Sequence, residues 1–101
     1  MLDHVMRFNE SVAAAKMAEM ARVALVPGVL AMREQDAAAA FIAWIVQLKA
    51  QLGVPAKLAA VGVNTAQIAA LVEVAIHDIC HQTNPRPCTR EDFARIFAAA
   101  I

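Results

Sequence analysis

Residues 75–101 read Ala75-Ile-His77-Asp-Ile-Cys80-His81-Gln-Thr-Asn84-Pro85-Arg86-Pro87-Cys88-Thr89-Arg-Glu-Asp92-Phe93-Ala-Arg-Ile96-Phe97-Ala-Ala-Ala-Ile101. An apolar helix ends in the first third of this stretch, and Pro85 and Pro87 stiffen a loop in which helix cannot continue. Thr89 then offers a hydroxyl cap to a new helix, with Asp92 at its third position and Phe93, Ile96 and Phe97 as its apolar anchors. Helix, loop, capped helix is the grammar of the whole chain.

Upstream, Asn64 and Gln67 form a capping pair for a helix carrying Ile68, Leu71, Val72, Ala75, Ile76 and Ile79, which the spacing extends to Cys80. Asp36 opens a long helix in which Phe41, Ile42, Trp44, Ile45, Leu48 and Leu52 recur every three or four residues, and Gly53 is placed to stop it. It reads as the central core helix, with its stripe against that of the Thr65–Cys80 helix. Pro55 suits the first turn of a short segment over 56–61, closed by Gly62. Nearer the start, residues 2–8 read as a short helix. Asn9 or Ser11 caps a second one running to Leu25, with Met17, Met20, Ala21 and Ala24 as its apolar face, before Val26-Pro27-Gly28 breaks it.

Composition agrees with helices throughout. Sixty per cent of the 101 residues are apolar, about a quarter are alanine, and only five aromatics and three glycines occur, which favours packed helices over sheets. The reading is an all-α helical bundle, one domain over residues 1–101, without internal repeat or linker. Nine basic residues balance nine acidic ones and are scattered, which excludes a nucleic-acid surface. The longest uncharged apolar run, Ala37 to Val46, is about half a bilayer span, and the charged opening stretch does not read as a signal peptide. A cytoplasmic protein without membrane contact is expected. Cys80 and Cys88 do not read as a secreted disulfide framework.

His77, Cys80 and His81 are the one constellation with metal-ligand chemistry. On a continuous helix His77 and His81 share a face and Cys80 lies one turn from His77, a spacing that permits zinc. The same residues also read as histidines favoured at the negative end of a helix dipole beside a small buried thiol, and that reading is preferred. Gly28, Gly53 and Gly62 are isolated, so no glycine-rich phosphate cradle is present and no cofactor-binding or catalytic residue is assigned. The apolar faces of Met17, Met20 and Val23, and of Phe93 and Phe97, exceed what a chain of this length can hide. A dimer or larger assembly is therefore expected.

Three motifs in order carry a family resemblance. His4-Val5-Met6-Arg7-Phe8-Asn9 is similar to L-P-H-V-M-R-F-N, and Leu52-Gly53-Val54-Pro55 with Leu58 and Gly62-Val63 to L-G-I-P-x-x-L-x-x-x-G-V. Asn84-Pro85-Arg86 with Thr89-Arg90-Glu91-Asp92 is similar to N-P-R-x-x-T-x-E-D. Together they resemble the C-terminal helical part of the iron-containing (group III) alcohol dehydrogenases, with Asp3 where the family has proline. The resemblance implies a truncated C-terminal region of an NAD(P)-linked oxidoreductase whose dinucleotide-binding domain and divalent-metal ligands, for iron or zinc, lie before Met1. It implies that His4 is not a ligand, that Cys80 and His77 form substrate-pocket wall, and that the chain alone holds no cofactor and is inactive. Its partners would be further copies of itself or the missing N-terminal domain. The alternative is an independent self-associating helical protein, with a metal at His77, Cys80 and His81.

Overall fold

The computed structural model describes residues 1–101, and every regular element in it is helical. Four α-helices, α1 Leu2–Val23, α2 Glu34–Gln51, α3 Ile68–His77 and α4 Arg90–Ala100, are joined by short 3-10 segments. The all-α expectation holds.

The division of the first helix at Asn9 does not. Residues 2–23 form one unbroken helix, and the Asn9 side chain, instead of capping, reaches Asn84. At its far end Leu25 takes a left-handed conformation (φ 54°), and Val26 N–H returns to Ala21 O at 3.0 Å. This is the six-to-one bond of a Schellman stop, here without its usual glycine. Gly53 ends α2 the same way at φ 70°, as its position in the sequence indicates. The capping boxes at Asn64/Gln67 and Thr89/Asp92 are both formed.

Packing follows chain order: α1 lies on α2 and α3 on α4, with a smaller contact of α1 against α4. The expected pairing of the second and third long helices is thus replaced by two helical hairpins, in keeping with the tendency of consecutive elements to pack side by side. The core sits between α1 and α2. Ala18, Ala21, Ala37 and Ala38 are fully buried there, and their small side chains bring the two backbones close, while Ile42 and Val29 fill the remaining space. Phe41 is buried in the same layer and stacks on Trp44 at 5.9 Å between centroids. Truncating Ile42 to alanine there costs about 2–5 kcal/mol.

Only 15 of 101 residues are buried, and the body measures 43 × 29 × 17 Å. Its radius of gyration of 14.8 Å exceeds the value near ~13 Å of a compact chain this long. The thin slab leaves apolar faces in solvent: Val23, Leu25 and Leu30 are 76–80% exposed. Met20, Ala24, Leu52 and Ile79, assigned to core stripes from spacing, are also exposed. The 56–61 helix is reduced to a 3-10 turn, Leu58–Val61, with Pro55 ahead of it.

Candidate functional site

The third helix stops at His77, three residues before the sequence reading ends it. Asp78 is extended (ψ 122°), and its carboxylate accepts from Cys80 N–H at 2.8 Å, starting a separate 3-10 segment, Ile79–Thr83. An Asx-type cap of this kind competes with helix continuation wherever aspartate precedes a bend. The metal reading needed His77, Cys80 and His81 on one continuous helix. They are not, and no three His, Cys, Asp or Glu side chains come together to hold an ion. Each histidine instead donates to a carbonyl of the helix end, His77 Nδ1 to Glu73 O at 2.7 Å and His81 Nε2 to Ile76 O at 3.1 Å. That is the dipole-end role weighed against zinc, but Cys80 is exposed and is not the small buried thiol of the same reading.

What this break does build is a groove. Its walls come from α1 (Val5, Phe8), from the 3-10 segment (Cys80, His81, Thr83), from the proline loop (Asn84, Pro85, Cys88) and from α4 (Phe93, Ile96), around a cavity of about 400 Å³. His81 meets Phe93 edge to face at 5.6 Å, closing one side. Six of these ten residues are apolar, and a mostly apolar concavity of this size with a few polar groups is the usual form of a small-molecule site. His77 is exposed and lies outside the lining, whereas Cys80 is on it.

The groove is held together by a contact between residues 75 positions apart. Asn9 Nδ2 donates to Asn84 Oδ1 at 2.7 Å, and Asn84 Nδ2 donates back to Asn9 Oδ1 at 2.8 Å and to Arg86 O at 2.6 Å. Arg86 Nη1 donates to Phe8 O at 3.0 Å, and its guanidinium lies 4.1 Å from the centre of the Phe8 ring. The loop is thereby tied to α1 at two points. Neither tie was assigned a role from sequence, although one signal was available: Asn9 falls on the same helical face as Met6, Ala13 and Met17, where a polar residue needs a partner.

Electrostatics make both thiols poor nucleophiles. The Asp78 carboxylate, by its hydrogen bond and charge, pushes the Cys80 thiol up from its ordinary pKa, and burial followed by the Asp92 charge does the same for Cys88. Protonated thiols at neutral pH are also weak metal ligands.

Residues 1–101, the full length of the chain, match the C-terminal region of the Fe-containing alcohol dehydrogenase family. The chain belongs to that family. Escherichia coli lactaldehyde reductase is 35% identical over 100 residues, which are 99% of this chain and 26% of that protein. Klebsiella pneumoniae 1,3-propanediol dehydrogenase is 31% identical over 101 residues, 26% of its length. A crystal structure of a 1,3-propanediol oxidoreductase superposes with a TM-score of 0.92 at 30% identity, covering 99% of this chain and 26% of that one. The chain therefore spans about a quarter of the length of the relatives it matches, and that quarter is the family's helical C-terminal region. The resemblance read from the three motifs is borne out over the whole sequence. No helix is long and apolar enough to cross a membrane.

Proposed function

We propose that this chain supplies one wall of the substrate pocket of a metal-dependent, NAD(P)-linked alcohol dehydrogenase, and that it is not catalytic alone. The observation that carries this reading is the groove itself. It is an apolar concavity with Cys80 on its lining, in a chain that superposes at 0.92 on part of a 1,3-propanediol oxidoreductase. In this role Val5, Phe8, Phe93 and Ile96 pack against the carbon skeleton of a small alcohol or aldehyde and exclude water from it, and His81 closes the edge.

The metal implied by the family does not fit the side chains of residues 1–101. His77 and His81 are engaged with main-chain carbonyls, and no three ligands converge. In this reading the ion and the dinucleotide are both held by residues beyond this chain. The exposed Val23, Leu25 and Leu30 support the same arrangement, since several hundred Å² of wet apolar surface is comparable to the ~5–15 kcal/mol stability of such a domain. That surface packs against another domain or another copy.

Calorimetric titration of the purified chain with NAD and NADP, together with a dehydrogenase assay on small diols, tests the proposal. No binding and no turnover are expected, whereas micromolar binding or turnover would overturn it. Sedimentation equilibrium is expected to give a species larger than one chain, and a well-folded monomer at tens of micromolar would contradict cover of Val23, Leu25 and Leu30 by another copy.

A further inference from the structure

His81 brings an uncommitted nitrogen to the groove. Its Nε2 lies 3.1 Å from Ile76 O, and because a carbonyl oxygen only accepts, Nε2 carries the proton and Nδ1 is left as a bare acceptor. No protein group donates to Nδ1, yet no enclosed side-chain nitrogen or oxygen goes unpaired, so this half-buried residue keeps Nδ1 open to an incoming molecule. Ile76 is outside the lining of the cavity, so Nε2 is turned out of the groove and the edge that carries Nδ1 is left to face it. Phe93, edge to face at 5.6 Å, holds the ring in that orientation. The other polar groups of the lining are spent or weak. Asn84 engages both ends of its amide with Asn9 and Arg86, and Thr83 is exposed with its hydroxyl proton committed to Cys80 O at 3.0 Å. The Cys80 and Cys88 thiols are weak hydrogen-bonding groups. No Asp, Glu, Lys or Arg lines the cavity.

We propose that His81 determines the specificity of the groove: its Nδ1 accepts a hydrogen bond from a hydroxyl of the bound molecule, and so selects neutral hydroxylated carbon skeletons, small diols or hydroxyaldehydes, over the same skeletons without a free hydroxyl. Resting on the pocket-wall reading, this role concerns the hydroxyl that is not oxidised. The apolar walls take the skeleton whatever its substituents, so discrimination falls to the nitrogen. A molecule without a donor displaces water from that acceptor and gives nothing back. One neutral hydrogen bond at such a site corresponds to a preference of about three- to tenfold.

Nuclear magnetic resonance on the full chain tests this with isopropanol and acetone, two probes of one skeleton of which only the alcohol can donate. In buffer at about pH 8, above the range in which imidazoles titrate, both are expected to shift the methyl resonances of Val5 and Ile96, on the other walls. Only isopropanol is expected to shift the Nδ1 resonance of His81. Affinity is expected to favour isopropanol by about three- to tenfold in the parent, to be equal for the two probes in His81→Phe, and to favour the alcohol again in His81→Gln, whose amide oxygen accepts. The Nδ1 resonance is read on the parent chain and stands even if a substituted one misfolds. An Nδ1 resonance that ignores isopropanol, or a preference abolished by Thr83→Val in place of His81→Phe, would overturn the role of His81 and leave the pocket-wall reading intact. Val5 and Ile96 unmoved by either probe would overturn both.

Discussion

Asn9 and Asn84 lie 75 residues apart and exchange two side-chain amide hydrogen bonds, at 2.7 and 2.8 Å, joining the middle of α1 to the loop that precedes α4. This pair locks the α3–α4 hairpin onto α1, where the contact between helices is otherwise small. Asn9 is 7% exposed, so its amide has little water to fall back on, while Asn84 is half-buried.

Asn9→Ala leaves the Asn84 carbonyl without its donor and is expected to cost about 1–3 kcal/mol. Asn9→Asp keeps the bond from Asn84 Nδ2 but sets a carboxylate oxygen against Asn84 Oδ1 at a buried position, and should cost at least as much. Thermal unfolding followed by circular dichroism checks the order. Equal melting temperatures for Asn9→Ala and the parent would show that the pair contributes nothing.

Lys49 Nζ donates to Asp3 Oδ1, and the two side chains are only 15% and 10% exposed. Breaking such a pair strands a buried charge, so Lys49→Met alone should cost about 3 kcal/mol, whereas Asp3→Ala with Lys49→Met should recover most of the loss. Denaturant unfolding of these two variants and of Asp3→Ala alone gives the coupling directly. Additive losses would contradict it.

His4 predicts a pH dependence. Burial lowers its imidazole pKa, and the Asp3 carboxylate 3.5 Å away offsets this only in part. The unfolded chain therefore takes up that proton more readily than the folded one. Stability should be fully present above about pH 6.5 and decline as pH falls through that value toward the lower folded pKa. A second decline is expected below about pH 4. Asp3 is raised by burial but lowered more by its hydrogen bonds, chiefly from Lys49, while Asp78, Glu91 and Asp92 are held low mainly by main-chain N–H groups. Urea midpoints across this range check both steps, and His4→Gln should flatten the first one only.

Leu25 stands where most helices place glycine, left-handed at φ 54° and 76% exposed. Leu25→Gly should raise stability by about 1 kcal/mol, since the strain of a left-handed leucine is removed and little packing is lost. A lower melting temperature for the variant would mean that the exposed leucine is covered by a partner.

The caps were legible in the sequence because they are local: Gly53, Asn64 with Gln67, and Thr89 with Asp92 act on residues within one turn. What escaped sequence reading depended on distant or competing partners. Asn9 has the chemistry of a cap, but its amide is claimed by Asn84 across the fold. The apolar stripe through Ile79 continues past the true helix end because periodicity does not register the Asp78 side chain competing for Cys80 N–H. Helix pairing was misread for the same reason, as an apolar stripe does not name its partner, and Ile79 and Leu52 end up in solvent. Of the candidate site, Cys80 reached the groove and His77 did not, a difference set by that one break in the helix.

The central claim is that these residues form the C-terminal wall of an alcohol dehydrogenase pocket, and a chimera tests it most directly. The 100 aligned residues of Escherichia coli lactaldehyde reductase would be replaced by this chain, and NADH-dependent reduction of lactaldehyde measured. The account predicts a folded chimera that turns over, and predicts that Cys80→Phe, which fills the groove, raises KM. A folded chimera with no activity, or one whose KM ignores the filled groove, would contradict it.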